Sequence, residues 1–192
     1  MTRPARMSSL LLVLVPLLAT AACSGISSPD QGNVRVLLSA SDQPALAPSL
    51  NDDHRGDRVL DKLKTANVTF SSLVARNVGG KLVDLGVELP KTVDVVGLLG
   101  GTGVTLPAGS LPPGQYDQLV VVMTQLELAF VNGAKIALTP PGGGWTSVVP
   151  VTPFTVVEGQ ALTIELKLRL GSAFREASGT MGFFPDFEGH HH

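Results

Sequence analysis

The stretch from residue 162 to 170 alternates strictly between apolar and polar side chains. A β-strand turns successive side chains to opposite faces, so a period of two predicts a strand with one buried face and one solvated face. A chain with several such runs must build a sheet that covers the buried faces. The apolar positions are Leu162, Ile164, Leu166, Leu168 and Leu170, opposite Thr163, Glu165, Lys167 and Arg169.

Other runs follow the same period. They lie at residues 34–38, 66–70 and 83–89, and a longer apolar run covers 119–131. The first half of the long run is apolar on both faces, which is typical of a central strand covered on two sides. In this run we expect one buried face formed by Val120, Val122, Leu126, Leu128 and Phe130.

Turn signals separate the predicted strands. Asn132-Gly133 lies between two such runs and predicts a tight hairpin. Pro112-Pro113-Gly114, the segment 140–144 and Glu158-Gly159 are further breaks, and the chain contains 21 Gly and 14 Pro. Many short strands joined by frequent turns predict an all-β sandwich.

Helical structure is expected in two short places only. Residues 58–64 place Val59, Leu60 and Leu63 at helical spacing, and residues 93–99 are long enough for one turn. One or two short helical turns do not make an α/β fold, because parallel strands in such folds need regular helical crossovers.

The charge balance excludes one class of partner. The chain has 14 Lys and Arg against 16 Asp and Glu, without basic clusters. Phosphate contacts need Lys and Arg, so we expect no nucleic-acid partner. With 44% hydrophobic and 16% charged residues, the chain is not of the disordered type.

The first 22 residues have the pattern of a secretory signal. Arg3 and Arg6 precede a short apolar run at 10–18, which is too short to cross a membrane. The following Ala19-Thr20-Ala21-Ala22-Cys23 resembles the lipobox of bacterial lipoproteins, in which cleavage falls between Ala22 and Cys23. The alternative is a plain secretory signal with an incidental cysteine.

The resemblance to a lipobox implies a lipid on Cys23, the only cysteine of the chain. A diacylglycerol and an acylated amino terminus would give stable anchoring, because two or more chains are needed for it. We therefore expect a signal peptide at 1–22, a flexible tether at 23–31 and a bacterial envelope location. In a Gram-negative cell, this is the outer membrane or a periplasmic face. Without the two leader arginines, 12 Lys and Arg face 16 Asp and Glu, a formal charge of −4.

Six segments carry a family resemblance through their order along the chain. They are residues 32–44, 68–73, 93–101, 111–119, 157–164 and 184–185. This order resembles DUF4382, a bacterial envelope family of unknown function. The resemblance implies an immunoglobulin- or transthyretin-like antiparallel β-sandwich over 32–187, with no activity and no site residues. Relative to the family, the chain is longer at 45–61, and we expect a disordered tail at 188–192.

Tyr116 follows the glycine of the Pro-Pro-Gly turn by two residues. Gly114 allows a tight turn, and the tyrosine can bury its ring while its hydroxyl group bonds a nearby backbone group. This arrangement resembles the tyrosine corner of β-sandwiches, and we expect a structural role for it.

Catalysis and metal binding have few candidates. His54 is the only histidine apart from the last three residues, so a Ser-His-Asp hydrolase would have to use it, and no Gly-x-Ser-x-Gly motif is present. The acidic segment at residues 52–61 could form a Ca²⁺ loop. The EF-hand spacing is absent from it, however, and a solvated loop is the preferred interpretation. His190–His192 could bind a metal, or be a purification tag or a natural tail. The acidic segment contains Asp52, Asp53, His54, Asp57 and Asp61.

Trp145 is the only tryptophan and follows three glycines. It is a candidate for stacking on a sugar, although packing against the edge of the sandwich is preferred. At least one ring of the Phe183-Phe184 pair should lie in the core. The glycine-rich segment 97–103 lacks the Lys-Ser/Thr ending of a phosphate loop and is interpreted as a turn.

These observations predict a lipid-anchored, non-enzymatic β-domain of the cell envelope that acts as a structural or protein-interaction module, without cofactor or metal. Its partners would be the membrane through the lipid, and envelope proteins or glycans. The alternatives are a carbohydrate-binding or adhesion module that uses Trp145, and a hydrolase that uses His54.

Overall fold

The computed structural model describes residues 30–42, 59–86, 88–101, 103–107, 109–177 and 180–192. Most of these residues lie in β-strands. The strands are β1 (Gly32–Ser41), β2 (Leu63–Asn77), β3 (Leu82–Asp84), β4 (Lys91–Asp94), β5 (Val104–Thr105), β6 (Gly109–Leu111), β7 (Gly114–Phe130), β8 (Lys135–Leu138), β9 (Trp145–Val156), β10 (Ala161–Arg169), β11 (Phe174–Ala177), β12 (Thr180–Phe183) and β13 (Phe187–His191).

Eleven of the described strands form one sheet. Its main path runs in the order β3-β2-β7-β9-β13-β10-β1-β5. The short strands β4, β6 and β8 lie beside β2, β1 and β7, respectively, and β11 and β12 form a separate hairpin. The all-β prediction is therefore confirmed.

The prediction of a wholly antiparallel arrangement is wrong, because the sheet is mixed. Strand β1 runs parallel to β10 from Asn33 opposite Ala161 to Ser41 opposite Arg169. Strand β13 is parallel to β9 at the single pair Gly189 and Val151. The cause is the path of the chain, which returns through β9 to the end where β1 began before it enters β10.

The two ends of the sheet are named after the first and last residues of β1. We call the end where β1 and β10 begin the Gly32 end, and the end where they finish the Ser41 end. At the Gly32 end, Asn33 N donates to Gln160 O at 2.9 Å. At the Ser41 end, β10 stops at Arg169, opposite Ser41.

The sheet curls until its two margins are bridged. Leu85 N donates to Leu73 O of β2 at 3.1 Å, and Ser110 N of β6 donates to Leu85 O at 2.8 Å. A second link follows β4, where Leu99 forms a parallel bridge with Ala40 of β1. The inner faces of both halves thereby enclose one apolar core.

The period of two correctly identifies the core side of the parallel pair. Val36 and Leu38 of β1 are fully buried, as are their partners Ile164 and Leu166 in β10. The predicted strand at 66–70 is confirmed within the longer β2. The predicted strand at 83–89 is much shorter, because regular pairing ends at Asp84.

The buried face of β7 differs from the prediction. Leu119, Val121 and Met123 are fully buried, whereas Val120 and Val122 are half-buried. Thr69 of β2 lies opposite Gln125, and Phe70 lies opposite Met123, so Thr124 is an extra residue in β7. A β-bulge of this kind shifts the alternation by one position, and Leu126 and Leu128 then return to the core side.

The alternation of buried and exposed side chains in β2 also shifts by one residue, beside the bulge in β7. Its register passes from Phe70 opposite Met123 to Ser72 opposite Val122, which leaves Ser71 as the extra residue. The Ser71 hydroxyl donates to Val122 O at 3.2 Å. Phe70 and Leu73 are both fully buried despite their spacing of three. The two bulges keep both long strands facing the same core.

Two predicted turns have the expected chemistry. Gly133 has φ +88°, and Asn132 Oδ1 accepts a hydrogen bond from Ala134 N at 3.0 Å, which closes the hairpin between β7 and β8. The buried Tyr116 donates its hydroxyl hydrogen to Pro112 O at 2.9 Å. The predicted structural role of Tyr116, with a buried ring and a hydroxyl group bonded to the backbone, is therefore confirmed.

Short helical turns lie at three places in the described ranges besides Val59 and Leu60. Val96–Leu98 forms a 3₁₀ turn, as the sequence predicts. Pro141–Gly143 is a second 3₁₀ turn, and α1 is a single turn at Leu170–Ala173. The expected helix over 58–64 is wrong at its end, because Leu63 and Lys64 already belong to strand β2, in which Leu63 pairs with Phe130.

The expected disordered tail at 188–192 is also wrong. Residues Phe187–His191 form β13, which pairs antiparallel with β10. Gly189 makes the close approach possible, because a Cβ atom there would meet Val151 Cγ1 and, at 3.1 Å, Val149 Cγ1. The strand thus joins β9 to β10.

We predict that Met123→Ala lowers the free energy of unfolding by about 2–4 kcal/mol, because it leaves a cavity in the core. Val122→Ala should cost only about 1 kcal/mol, since Val122 is half-buried. Urea denaturation of both variants measures the difference. A larger loss for Val122→Ala would contradict the bulge and restore the simple alternation.

Candidate functional site

A group of hydrogen-bonded charged side chains lies at the Ser41 end. Arg169, the last residue of β10, donates from Nε to Asp186 Oδ2 at 3.1 Å and from Nη2 to Asp186 Oδ1 at 2.6 Å. Ser172 of α1 donates its hydroxyl hydrogen to Asp186 Oδ2 at 2.6 Å. The side chains of Arg169 and Asp186 are only 25% and 27% exposed. We call these three residues the Asp186 cluster.

The local backbone explains this arrangement. Arg169 is a polar position of β10, so its side chain projects away from the core. Turn α1 follows directly, and the Ser172 hydroxyl oxygen also lies 3.1 Å from Arg169 O. Arg169 N donates to Asp186 O at 2.9 Å. Backbone and side-chain bonds therefore hold Asp186 at the end of β10.

The electrostatics favour the ionised carboxylate. Burial alone would raise the pKa of Asp186, but hydrogen bonds from Arg169 and Ser172, with the charges of Arg169 and Arg175, lower it below its ordinary value. The hydrogen bond to Asp186 is the largest cause that raises the pKa of Arg169, against the opposing effect of burial. Both partners of the pair are charged at neutral pH.

Aromatic side chains surround the cluster. Phe174 and Phe183 of the β11–β12 hairpin are buried, with their ring centroids 5.3 Å apart. Phe184 is 57% exposed, and the guanidinium carbon of Arg175 lies 5.5 Å from its ring centroid. The prediction that one ring of the Phe183-Phe184 pair enters the core is confirmed. The other ring is presented to solvent beside a cation.

Trp145 packs edge-on against Phe183, with the ring centroids 5.2 Å apart and an interplanar angle of 89°. It is half-buried at the start of β9, opposite Met123. The preferred interpretation, packing on the edge of the sheet, is confirmed. Its candidate role in stacking on a sugar stays a prediction.

A second polar group follows the outer face of β1 and β10. Ser39 donates to Glu165 Oε1 at 2.9 Å, and His192 Nε2 lies 3.6 Å from Glu165 Oε2. The hydrogen bond from Ser39 is the largest cause that lowers the pKa of Glu165; burial opposes it, and Lys167 and His192 add to the lowering. This carboxylate is also held in its ionised form.

The three terminal histidines do not converge on one point. His190 lies opposite Glu165, and His191 lies opposite Ile164 of the apolar face. His190 Nε2 is 3.3 Å from Glu188 Oε1, while the His191 ring packs 5.9 Å from that of Phe154. Alternation along β13 turns the His191 imidazole away from those of its two neighbours, which does not favour the joint use of all three as ligands of one metal.

Several candidates of the sequence lie outside the described residues. These are the cleavage site Ala22-Cys23, the histidine proposed for a hydrolase, and most of the 45–61 segment. Asp61 is described and exposed. Within the described ranges, no group of three or more His, Cys, Asp or Glu could hold a metal ion. In the same ranges, no helix has the length and apolar character needed to cross a membrane.

The sequence did not single out the Asp186 cluster. Arg169 is visible only as one polar residue of an alternating strand, and Asp186 lies 17 positions away. No spacing rule links the two residues, because a loop, a turn and a hairpin separate them. The only local signal is the sequence Phe184-Pro185-Asp186, in which an exposed aromatic residue precedes an acid.

Chemically, this arrangement suits recognition. Arginine and aromatic side chains are enriched at the centres of protein interfaces, where planar groups gain contact area at low cost in conformational entropy. General acid–base catalysis favours a group with a pKa near the working pH. The pKa values of Asp186 and Glu165 are lowered, which moves them further from neutral pH.

We predict that Asp186→Asn lowers the free energy of unfolding by about 1–2 kcal/mol at pH 7, because charged hydrogen bonds are lost from a partly exposed site. The pKa of Asp186 is lowered in the folded state, so its contribution is present above the ordinary pKa of about 3.9 and is lost as the pH falls below it. Denaturant melts at pH 7, 5 and 3 should show a smaller loss on acidification for Asp186→Asn than for the wild type.

Glu127→Gln is the control for this experiment, because Glu127 is exposed on β7. It should follow the wild type at all three pH values. If Asp186→Asn loses as much stability on acidification as the wild type, the ion pair does not supply the pH-dependent part of the free energy of unfolding.

Comparison with known proteins gives one match. The family model described as Domain of unknown function (DUF4382) matches residues 34–187, which spans β1 to the first residue of β13. No curated protein and no solved structure matches the chain. The matched region contains most of the curled sheet, Tyr116 with its bond to Pro112, and the Asp186 cluster. Because the match covers most of the chain, this protein belongs to the DUF4382 family.

Proposed function

We propose that this protein is a lipid-anchored, non-enzymatic domain of a bacterial cell envelope that binds another envelope protein. The observation that carries the proposal is the exposed Phe184 ring beside Arg175, backed by the Asp186 cluster. An exposed aromatic residue with a neighbouring cation, mounted on a rigid ion pair, has the composition of an interface hot spot. The ring is close to the end of β10 and not on a long free loop.

The electrostatics support binding over catalysis. The carboxylates of Asp186 and Glu165 have lowered pKa values and accept hydrogen bonds from fixed partners. A proton donor or acceptor at neutral pH would need the opposite shift. The Asp186 cluster therefore acts as a support that fixes the position of the neighbouring aromatic residue.

The closer fold assignment, an immunoglobulin- or transthyretin-like sandwich, is also part of the proposal. The Tyr116 hydroxyl bond to Pro112 supports it, because the tyrosine corner is a feature of such sandwiches. The single core enclosed by the two halves of the curled sheet supports it as well. The parallel pair of β1 and β10 is compatible with a sandwich in which the first strand joins the layer formed by the last strands, β10 and β13.

Membrane attachment is proposed to act through Cys23. The support is the sequence alone: a basic start, a short apolar run and Ala-Thr-Ala-Ala before the only cysteine. A thioether-linked diacylglycerol with an acylated amino terminus would hold the chain at the membrane without a spanning helix.

We predict that the membrane fraction contains a form with acyl mass on Cys23, detected by mass spectrometry of the intact protein. Cys23→Ala should give an uncleaved or a released form without acyl mass, because the thiol that carries the lipid is missing. Ser24→Ala, a change at the next residue, should keep the lipid. Normal anchoring of Cys23→Ala would refute lipid attachment.

We predict that Phe184→Ala reduces the yield of partner protein in pull-downs from cross-linked envelopes at least tenfold, because the exposed ring forms the centre of the contact. Val131→Ala is the matched control, since Val131 is also apolar and exposed but lies in the β7–β8 turn. Quantitative mass spectrometry of the captured proteins compares the two variants. Equal loss, or no loss, for both variants would refute the interface at Phe184.

A further inference from the structure

The described part of the chain starts at the Gly32 end of the sheet, and its starting point is held there. Gly159 N donates to Gln31 O at 3.2 Å. The Ser110 hydroxyl donates to Gln31 Oε1. The backbone before β1 is thus fixed at Gln31 between the β9–β10 turn and β6.

The same end carries exposed apolar side chains. Val78 and Leu82 are each 58% exposed, and Val157 is 43% exposed. Pro112 and Pro113 are exposed as well. We call these five residues the apolar rim.

Hydrogen bonds and strand pairs place the members of the rim at one end of the sheet. Val78 N donates to Gln115 O at 3.0 Å, and Gln115 pairs with Thr155, two residues before Val157. Leu82 lies opposite Arg76, across the hairpin that contains Val78.

The two prolines lie at the same level. They directly precede Gly114, which pairs with Val156. Val156 in turn borders Gly32, because a Cβ atom added at Gly32 would meet Val156 Cγ1 at 2.5 Å. The rim and the start of β1 therefore share one end.

The proposed lipid limits how far this end can lie from a membrane. Cys23 precedes Asp30 by seven residues, which span at most about 25 Å when fully extended. The ten residues of β1 place the Ser41 end about 30 Å further along the strand direction. A lipid on Cys23 therefore keeps the rim closer to the bilayer than the Asp186 cluster.

We infer that the apolar rim rests on the bilayer surface, with Val78, Leu82 and Val157 in contact with the lipid headgroup region. This inference rests on the proposed lipid anchor at Cys23. Apolar side chains at the interface gain by burial, and one anchored chain brings them to the membrane at high effective concentration. The Asp186 cluster and Phe184 then point away from the membrane, toward a partner.

The charges at this end indicate which membrane is the right probe. Asp30, Glu158 and Lys81 are exposed there, and Arg76 pairs with Asp117 at 3.0 Å. Among the residues that the structure describes at this end, the exposed charges include no excess of cations, so they do not attract anionic lipids. The contact is therefore apolar in origin, and it should form on zwitterionic vesicles and resist high salt.

The test uses the lipidated protein in phosphatidylcholine vesicles that contain a nitroxide-headgroup lipid. A fluorescent thiol label is attached to Lys81→Cys, beside the rim, or to Lys62→Cys, a matched exposed lysine just before β2. Lys81 follows the far end of β2, about 45 Å from Lys62 by the rise of a strand. Acylated Cys23 has no free thiol, so the label reports a single position.

We expect at least fivefold stronger quenching at position 81 than at position 62, unchanged in 1 M salt. The triple variant Val78→Ser, Leu82→Ser, Val157→Ser should keep its melting temperature and its flotation with vesicles, because the side chains are exposed. Its quenching at position 81 should fall at least threefold. These outcomes together support the inference.

Two kinds of failure are separable. If the protein carries no acyl mass and does not float with the vesicles, both the anchor and the orientation are refuted. If the protein is acylated and floats, but positions 81 and 62 are quenched equally, only the orientation is refuted. Unchanged quenching in the triple variant likewise refutes the rim as the contact.

Discussion

The parallel pairing of β1 with β10 is the contact on which the rest of the structure depends. Nine consecutive residue pairs join the two strands, from Asn33 opposite Ala161 to Ser41 opposite Arg169. The pairing aligns Val36 with Ile164 and Leu38 with Leu166, so the inner face of the pair is continuous, and these four side chains are fully buried. It joins residues more than 120 positions apart, and the curled sheet forms only when this long loop has closed.

The end of this pair also determines what the Ser41 end can present. Because β10 stops at Arg169, turn α1 and the β11–β12 hairpin begin there, and Asp186 returns to the same point before β13. The charges of the cluster neutralise one another, while Phe184 stays exposed beside Arg175. The Asp186 cluster and the exposed Phe184 ring thus both depend on the path of the chain between the end of β10 and the start of β13. The Gly32 end has a different character, since it presents the exposed apolar side chains of Val78, Leu82 and Val157.

Sequence periodicity predicted much of the core and failed at identifiable places. Val36, Leu38, Ile164 and Leu166 were correctly placed inside, because neither strand contains an extra residue. In β7 the alternation failed at Thr124, since a bulge depends on the partner strand and leaves no mark in a one-strand pattern. The Asp186 cluster could not be predicted either, because its members come from a strand end, a turn and a loop.

The sequence by itself determined the all-β class, the hairpin at Asn132-Gly133, the tyrosine corner and membership of the DUF4382 family. These features depend on residues that are neighbours in the chain or recur at a fixed spacing. Only the tertiary structure decided the parallel pairing, the two matched bulges, the strand at 187–191 and the surroundings of Asp186. The physical reason is that each of these requires one segment to meet another that is distant in sequence, and the packing of the whole sheet selects that partner.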